Sequence, residues 1–292
     1  MNTTKHSLVN ENTLSGGISE QKPLHHITPR KRWYDLELPE IYQRRGLLWL
    51  LILKSVRLKY RQTLLGVLWT IIQPLAPMLV FSFVFYKYFT DSNSKLSYPI
   101  FVYAGLIPWI YFSNALTLAG NSLASQHYLL GKIYFPRFML PLSLVLAGIP
   151  DFAIGCIVLC SVMIFSGMSF HLTLLWIPFL FILIMWLALA IGTLFASLSI
   201  IYRDIRNILP YLLQIFLFLT PIVYPIESIS ERWLWILKLN PLTAIINSFR
   251  AVLQGESPHW SELVLSAAVA LIVSFFSMII FVKMEKHIAD YL

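Results

Sequence analysis

Long runs without a charged residue constrain this chain more than any other feature. Residues 64–86, 99–125, 172–201, 207–226 and 263–282 contain no Asp, Glu, Lys or Arg, and 138–165 is interrupted only by Asp151. A helix needs about 20 predominantly apolar residues to cross the hydrocarbon of a bilayer. Inside lipid every backbone donor and acceptor has to be satisfied within the chain, which leaves helices as the form for runs of this length. The expectation is an all-α polytopic membrane protein with six transmembrane helices. Composition agrees: 12% of residues are charged, against about 25% in a soluble domain.

Residues 227–260 are the irregular part. Their best apolar piece, 242–249, is too short to cross and is bounded by Lys238 and Arg250. It reads as two short interfacial or re-entrant helices between the fifth and sixth spans, joined at Asn240 and Pro241 and packed on the bundle. With six spans, seventeen of the 22 Lys and Arg fall on the side holding both termini. That side is therefore assigned to the cytoplasm, with Arg250 counted among the outer cations. Trp176, Trp233, Trp235 and Trp260 lie near span ends, as in aromatic belts.

Four regions follow. Residues 1–32 form a polar cytoplasmic tail with no apolar core, so neither a signal peptide nor a packed domain is expected there. Residues 33–63 hold an amphipathic interfacial helix, 64–283 the transmembrane domain, and 284–292 a cytoplasmic C-terminus. On the helix before the first span, Trp49, Ile52, Val56 and Tyr60 share one face while Lys54, Arg57 and Arg61 share the other. An apolar face in the acyl boundary with cations in the headgroups is the pattern of a helix lying in the membrane surface. It serves either as an anchor or as a gate for an anionic lipid. The net charge is +8, and eleven of the 22 Lys and Arg lie before the first span, which fits anionic lipid and not nucleic acid.

Residues 126–138 carry apolar and aromatic anchors with Lys132 and Arg137. This short amphipathic piece suits a groove on a partner or the inner leaflet equally well. Asp151 is the one ionisable group deep in a span. With no cation expected inside the membrane, it reads as a packing or capping residue beside Pro150. Cys156 and Cys160 read as small packing residues, and no histidine has ligand spacing to another donor. There is no G-x-x-x-x-G-K-[ST] phosphate loop, and no clustered carboxylates or His/Asp pairs to suggest a catalytic site. The chain is expected to be no enzyme and to hold no cofactor or metal.

Three runs carry a family resemblance. One begins K-S-V-R-L-K-Y-R at Lys54 and ends Q-P-L-A-P at Pro77. The second is Y-R-D-I-R-N-I-L-P-Y-L-L-Q-I-F-L-F-L-T-P-I-V-Y-P at 202–225, and the third N-P-L-T-A-I-I-N-S-F-R at 240–250. As a set they resemble ABC-2-type permeases that export polysaccharides, such as O-antigen and teichoic-acid exporters, and the likeness runs from about residue 33 to the C-terminus. The resemblance implies a homodimer in the bacterial inner membrane, bound to two copies of a separate ATP-binding cassette subunit that holds ATP and Mg. It implies a substrate that is an undecaprenyl-pyrophosphate-linked, O-antigen-like glycan or a related lipid-linked polymer. It would make 126–138 the coupling helix, with Leu130, Lys132, Tyr134, Phe135 and Arg137 at the ATPase. The amphipathic helix becomes a gate, with Lys54, Arg57, Lys59 and Arg61 guiding the pyrophosphate. Phe81, Phe85, Trp109, Tyr111, Phe112 and Phe216 become candidates for lining a sugar conduit. The alternatives are an ABC-2 permease for a drug or small lipid, a gradient-driven secondary transporter, and a membrane-embedded enzyme of glycan assembly. A secondary transporter should show paired intramembrane acids and repeats.

Overall fold

The computed structural model describes residues 38–61, 66–89, 96–126 and 135–291. The tail at 1–32 and the proposed coupling residues Leu130, Lys132 and Tyr134 lie outside the described residues. Among those described, every regular element is helical. The chain opens with α1 (Leu38–Gln43) and α2 (Arg45–Tyr60), followed by α3 (Leu68–Phe89) and α4 (Tyr98–Gly120), which continues into the short α5 (Ser122–Ser125). The third apolar run is split into α6 (Met139–Leu146) and α7 (Ile149–Phe165). The break at Ala147 and Gly148 falls just ahead of Pro150, which lacks an amide proton and cannot sit inside a helix without losing a backbone bond. A 3₁₀ turn then leads into α8 (Ile177–Ile201), and a tight turn at Tyr202 and Arg203 into α9 (Asp204–Leu219). The remainder is α10 (Glu231–Leu239), α11 (Pro241–Leu253) and α12 (Trp260–Tyr291).

Five of these segments are long and apolar enough to cross a membrane: α3, α4, α6 with α7, α8 and α12. The run at 207–226 behaves differently from a simple span. Its helix has 16 residues, about 24 Å of rise, and stops at Leu219 because Pro221 and Pro225 cannot extend it. The following turn, Thr220 to Pro225, is irregular backbone packed inside the protein.

Helix α4 is the axis of the molecule. Within its span 72% of residues are buried by the rest of the chain, against 17% for α3. It packs on α3, α6, α7, α8, α9 and α11, while α8 backs onto α12. The α4–α8 crossing is close because small residues meet there: a Cβ placed on Gly192 would stand 2.7 Å from Cβ of Ala119. Membrane helices associate through such packing, since burying apolar side chains gains little when lipid is the alternative. The pair α10–α11 joins at Asn240 and Pro241 as expected. Asn240 caps α11 by accepting the amide proton of Leu242 at 3.1 Å, and α11 is buried along nearly its whole length.

A second, smaller core forms where α1, α2, α5, α6, α8 and α12 meet. It contains Ile41, Leu51, Leu123, Phe135, Met139, Leu140, Ala196 and Phe281. This core sets which side of α2 is covered by the chain itself. Leu47, Leu48 and Leu51 pack inward, whereas Trp49 is 60% exposed.

Candidate functional site

A cavity of about 720 Å³ opens between α2, α3, α4, α6 and α7. Its polar lining includes Lys54, Lys59, Gln73, Asn114 and Asp151. The break between α6 and α7 shapes its inner wall. Gly148 leaves room for the Tyr111 ring, which would stand 2.9 Å from a Cβ there. Tyr111 uses that approach to donate its hydroxyl proton to the Val145 carbonyl at 3.0 Å, so a backbone acceptor at the break is satisfied. The same ring sits edge-on to Phe152 and Phe181, which stack on each other at 4.1 Å between centroids.

Asp151 occupies the first turn of α7 and is the focus of the cavity. Its carboxylate is ion-paired with Lys59, accepts the hydroxyl proton of Tyr60 and accepts that of Thr70 at 3.2 Å. The expectation that it had no cationic partner is therefore corrected. α2 runs alongside α6 and delivers Lys59 to it. Asp151 is 15% exposed and Lys59 38%, so the carboxylate is enclosed while the ammonium stands nearer the opening. Burial, and then the hydrogen bond to Asp151, push the Tyr60 hydroxyl up to about 12; it remains a proton donor through the physiological range.

Of the four cations assigned to headgroup guidance, Lys54 and Lys59 line the cavity. Arg57 and Arg61 are exposed on α2 and at its end. The aromatic candidates separate as well. Trp109, Tyr111 and Phe112 are buried within the chain's own core, with Tyr111 also at the cavity wall. Phe81 and Phe85 are half-buried on α3, 6.4 Å apart, and Phe216 is 41% exposed on α9. At the coupling segment, Phe135 is packed into the smaller core beside Leu51 and Met139, and Arg137 is half-buried.

Arg250 is the residue whose place the sequence reading missed. Counted as an outer-loop cation, it is buried, with 4% exposure. Its guanidinium lies over the Phe101 ring at 3.5 Å. Nε donates to the Phe101 carbonyl at 3.1 Å, Nη1 to Pro221 at 2.7 Å and Nη2 to Ile222 at 2.7 Å. Tyr98 donates to the Val223 carbonyl at 2.8 Å and Asn240 to the Thr220 hydroxyl at 2.9 Å. The turn after α9 is thereby tied to α4 and α11. The available signal was a lone arginine ending an apolar helical pattern; the carbonyls it reaches belong to other elements and left no mark in the sequence around it.

Residues 46–253 match the family model of the ABC-2 type transporter. The O-antigen export system permease protein RfbA of Myxococcus xanthus is 29% identical over 259 residues, covering 86% of this chain and 97% of that protein. A protein of the same name from Klebsiella pneumoniae is 26% identical over 240 residues, 82% of this chain and 92% of that one. The polysialic acid transport protein KpsM of Escherichia coli is 24% identical over 246 residues, 81% and 92% of the two chains. Because the family match begins in the first turn of α2 and ends with the last turn of α11, taking in the whole cavity and the Arg250 clamp, the chain belongs to the ABC-2 type transporter family.

Proposed function

We propose that this chain is the membrane-spanning permease subunit of an ATP-driven exporter that carries a lipid-linked polysaccharide across the bacterial inner membrane. The observation that carries the reading is the likeness to the Myxococcus O-antigen export permease, which extends over 97% of that protein. The cavity adds chemical support, because Lys54 and Lys59 at one opening suit the phosphate oxygens of a lipid headgroup. Arg57 and Arg61, exposed on the same segment, are suited to draw anionic lipid toward it.

In this reading ATP is hydrolysed on a separate cassette subunit that holds the nucleotide and Mg. The work is delivered to this chain through 126–138, where Leu130, Lys132, Tyr134 and Arg137 make the contact and Phe135 roots the segment in its own subunit. A second copy faces the apolar sides of α3 and α9 that this chain leaves outward, and the glycan passes between the two copies. Phe81, Phe85 and Phe216 are the aromatic candidates that retain surface for such a conduit; Trp109, Tyr111 and Phe112 support it from behind. Both termini lie in the cytoplasm, the side richer in Lys and Arg.

The test is deletion of the gene followed by separate assays of surface glycan and of cytoplasmic lipid-linked glycan. Loss at the surface with accumulation inside, reversed by the wild-type chain, is the expected result. Unchanged surface glycan in the deletion strain would remove the reading.

A further inference from the structure

Lys59 and Asp151 are 92 positions apart in sequence and meet at the wall of the cavity, where both side chains are among the lining groups. An enclosed carboxylate on a membrane helix needs a counter-charge or hydrogen-bond donors. Asp151 has both, and the two kinds of partner are separable. If Lys59 turned away, the hydroxyls of Tyr60 and Thr70 would still donate to the carboxylate. Lys59, in contrast, has a flexible four-carbon stem and an ammonium near the opening, so it can exchange one oxygen partner for another. Lys54 lines the same cavity, and the side-chain amides of Gln73 and Asn114 stand across from each other in its wall at 3.5 Å. The site offers donors beyond those that the carboxylate occupies.

We propose that Asp151 is a built-in competitor that holds Lys59 until a diphosphate-type anion displaces it, so that the cavity binds such headgroups by exchange of the lysine from carboxylate to phosphate. This deepens the export reading and rests on it for the source of the anion. A group with two or more negative charges and several acceptor oxygens engages Lys54 and Lys59 together. A lone carboxylate ligand has to displace a carboxylate of equal charge that is already in place, and gains little. Asp151 thereby filters anions by charge, and by retaking Lys59 it weakens binding enough for the headgroup to leave. A ligand shifts such an equilibrium only through its difference in affinity for the two arrangements, and the exchange supplies that difference.

Removing the negative charge from the site should tighten binding. Relief of repulsion alone would do so whether or not Lys59 is present. Exchange instead makes the gain from Asp151→Asn depend on Lys59, so the gain is compared with that in a Lys59→Met background. Binding is measured on the full chain in phosphatidylcholine nanodiscs, with polyprenyl diphosphate incorporated in one arm, inorganic pyrophosphate added in a second, and neither in the blank. Asp151→Asn keeps the acceptor for Tyr60 and Thr70 and is expected to bind about tenfold more tightly, a size typical of changes at close charge pairs. Lys59→Met with Asp151→Asn removes both charges, avoids stranding the carboxylate, and is expected to bind about tenfold more weakly than Asp151→Asn alone. Melting temperature reports whether each variant is folded; should Asp151→Asn fail to accumulate, Asp151→Ser serves in its place with the same expected direction. Tightening in the lipid arm assigns the site to a lipid headgroup, and tightening with pyrophosphate alone assigns it to a free anion. A folded neutral variant that binds both probes no better than wild type, or a double variant that binds as Asp151→Asn does, overturns the exchange. Failure of the export reading is seen elsewhere, as intact surface glycan in the deletion strain, and leaves these binding ratios unaffected.

Discussion

Arg250 gives protons to the carbonyls of Phe101, Pro221 and Ile222, so one side chain bridges the start of α4 and the turn that ends α9. Charged donors to carbonyls in a site closed to water form stronger hydrogen bonds than neutral pairs, and leaving those acceptors without donors has a corresponding cost. The seat depends on Gly105, where a Cβ would stand 2.6 Å from Nη2. Gly105→Ala is therefore expected to displace the guanidinium and lower stability by about 1–3 kcal/mol, the range for an extra methyl in a packed interior. Arg250→Met, which empties the seat but strands the carbonyls, should lower it at least as much. Thermal unfolding of the detergent-purified chain reads both, and a Gly105→Ala protein that melts with wild type would mean that the guanidinium is not locked in place. Sequence alone placed Arg250 in an outer loop because a Lys or Arg count treats every cation as solvated. What distinguishes this one is a ring from α4 and carbonyls from α4 and the turn after α9, none of which is adjacent to it in the chain.

At the level of elements, the spans were legible because lipid imposes a long uninterrupted signal: α3, α4, α8 and α12 begin and end within a few residues of most charge-free limits. The break between α6 and α7 was also present in the sequence as Pro150. Three features were not. α9 ends at Leu219 although its apolar run continues to Ile226, since hydropathy does not register the two prolines that stop it. The side of α2 that the chain itself covers, at Leu47, Leu48 and Leu51, follows from the small core at α6 and not from its own periodicity. The Lys59–Asp151 pair required knowing that α2 lies along α6. The α4–α8 crossing is equally invisible in pattern, since Gly192 reads as one small residue in an apolar helix. Its contact with Ala119 at 2.7 Å from a hypothetical Cβ predicts that Gly192→Val forces the helices apart and lowers stability by about 1–3 kcal/mol. Gly192→Ala should cost less, and the graded loss in melting temperature checks that volume is the cause. Equal melting of all three proteins would place the crossing elsewhere.

At the scale of the whole molecule, the distribution of buried surface is uneven in a way that bears on assembly. α4 is enclosed on nearly all sides, whereas α3 and α9 flank it and keep broad apolar faces outward. Phe83 on α3 is 91% exposed, with Leu79 and Val80 beside it, and Ile215 and Phe218 are exposed on α9. In a soluble protein a patch of this kind would mark an interface, but here lipid is an equally good cover, and apolarity alone does not distinguish them. The proposed pair of copies does: if the conduit lies between α3 and α9 of two chains, Phe83 is close to a second copy, and if α3 only faces lipid it is not. Replacing Phe83 with Cys in a chain carrying Cys156→Ser and Cys160→Ser leaves one thiol per subunit, since the natural sequence has only those two cysteines. A short bismaleimide added to membranes should then give a covalent dimer, and the same reagent should leave a matching cysteine at Ile157, exposed on α7, monomeric. Dimer from neither site, with the proposed ATPase subunit still co-purifying, would move the contact between copies off α3 and with it the proposed path of the glycan.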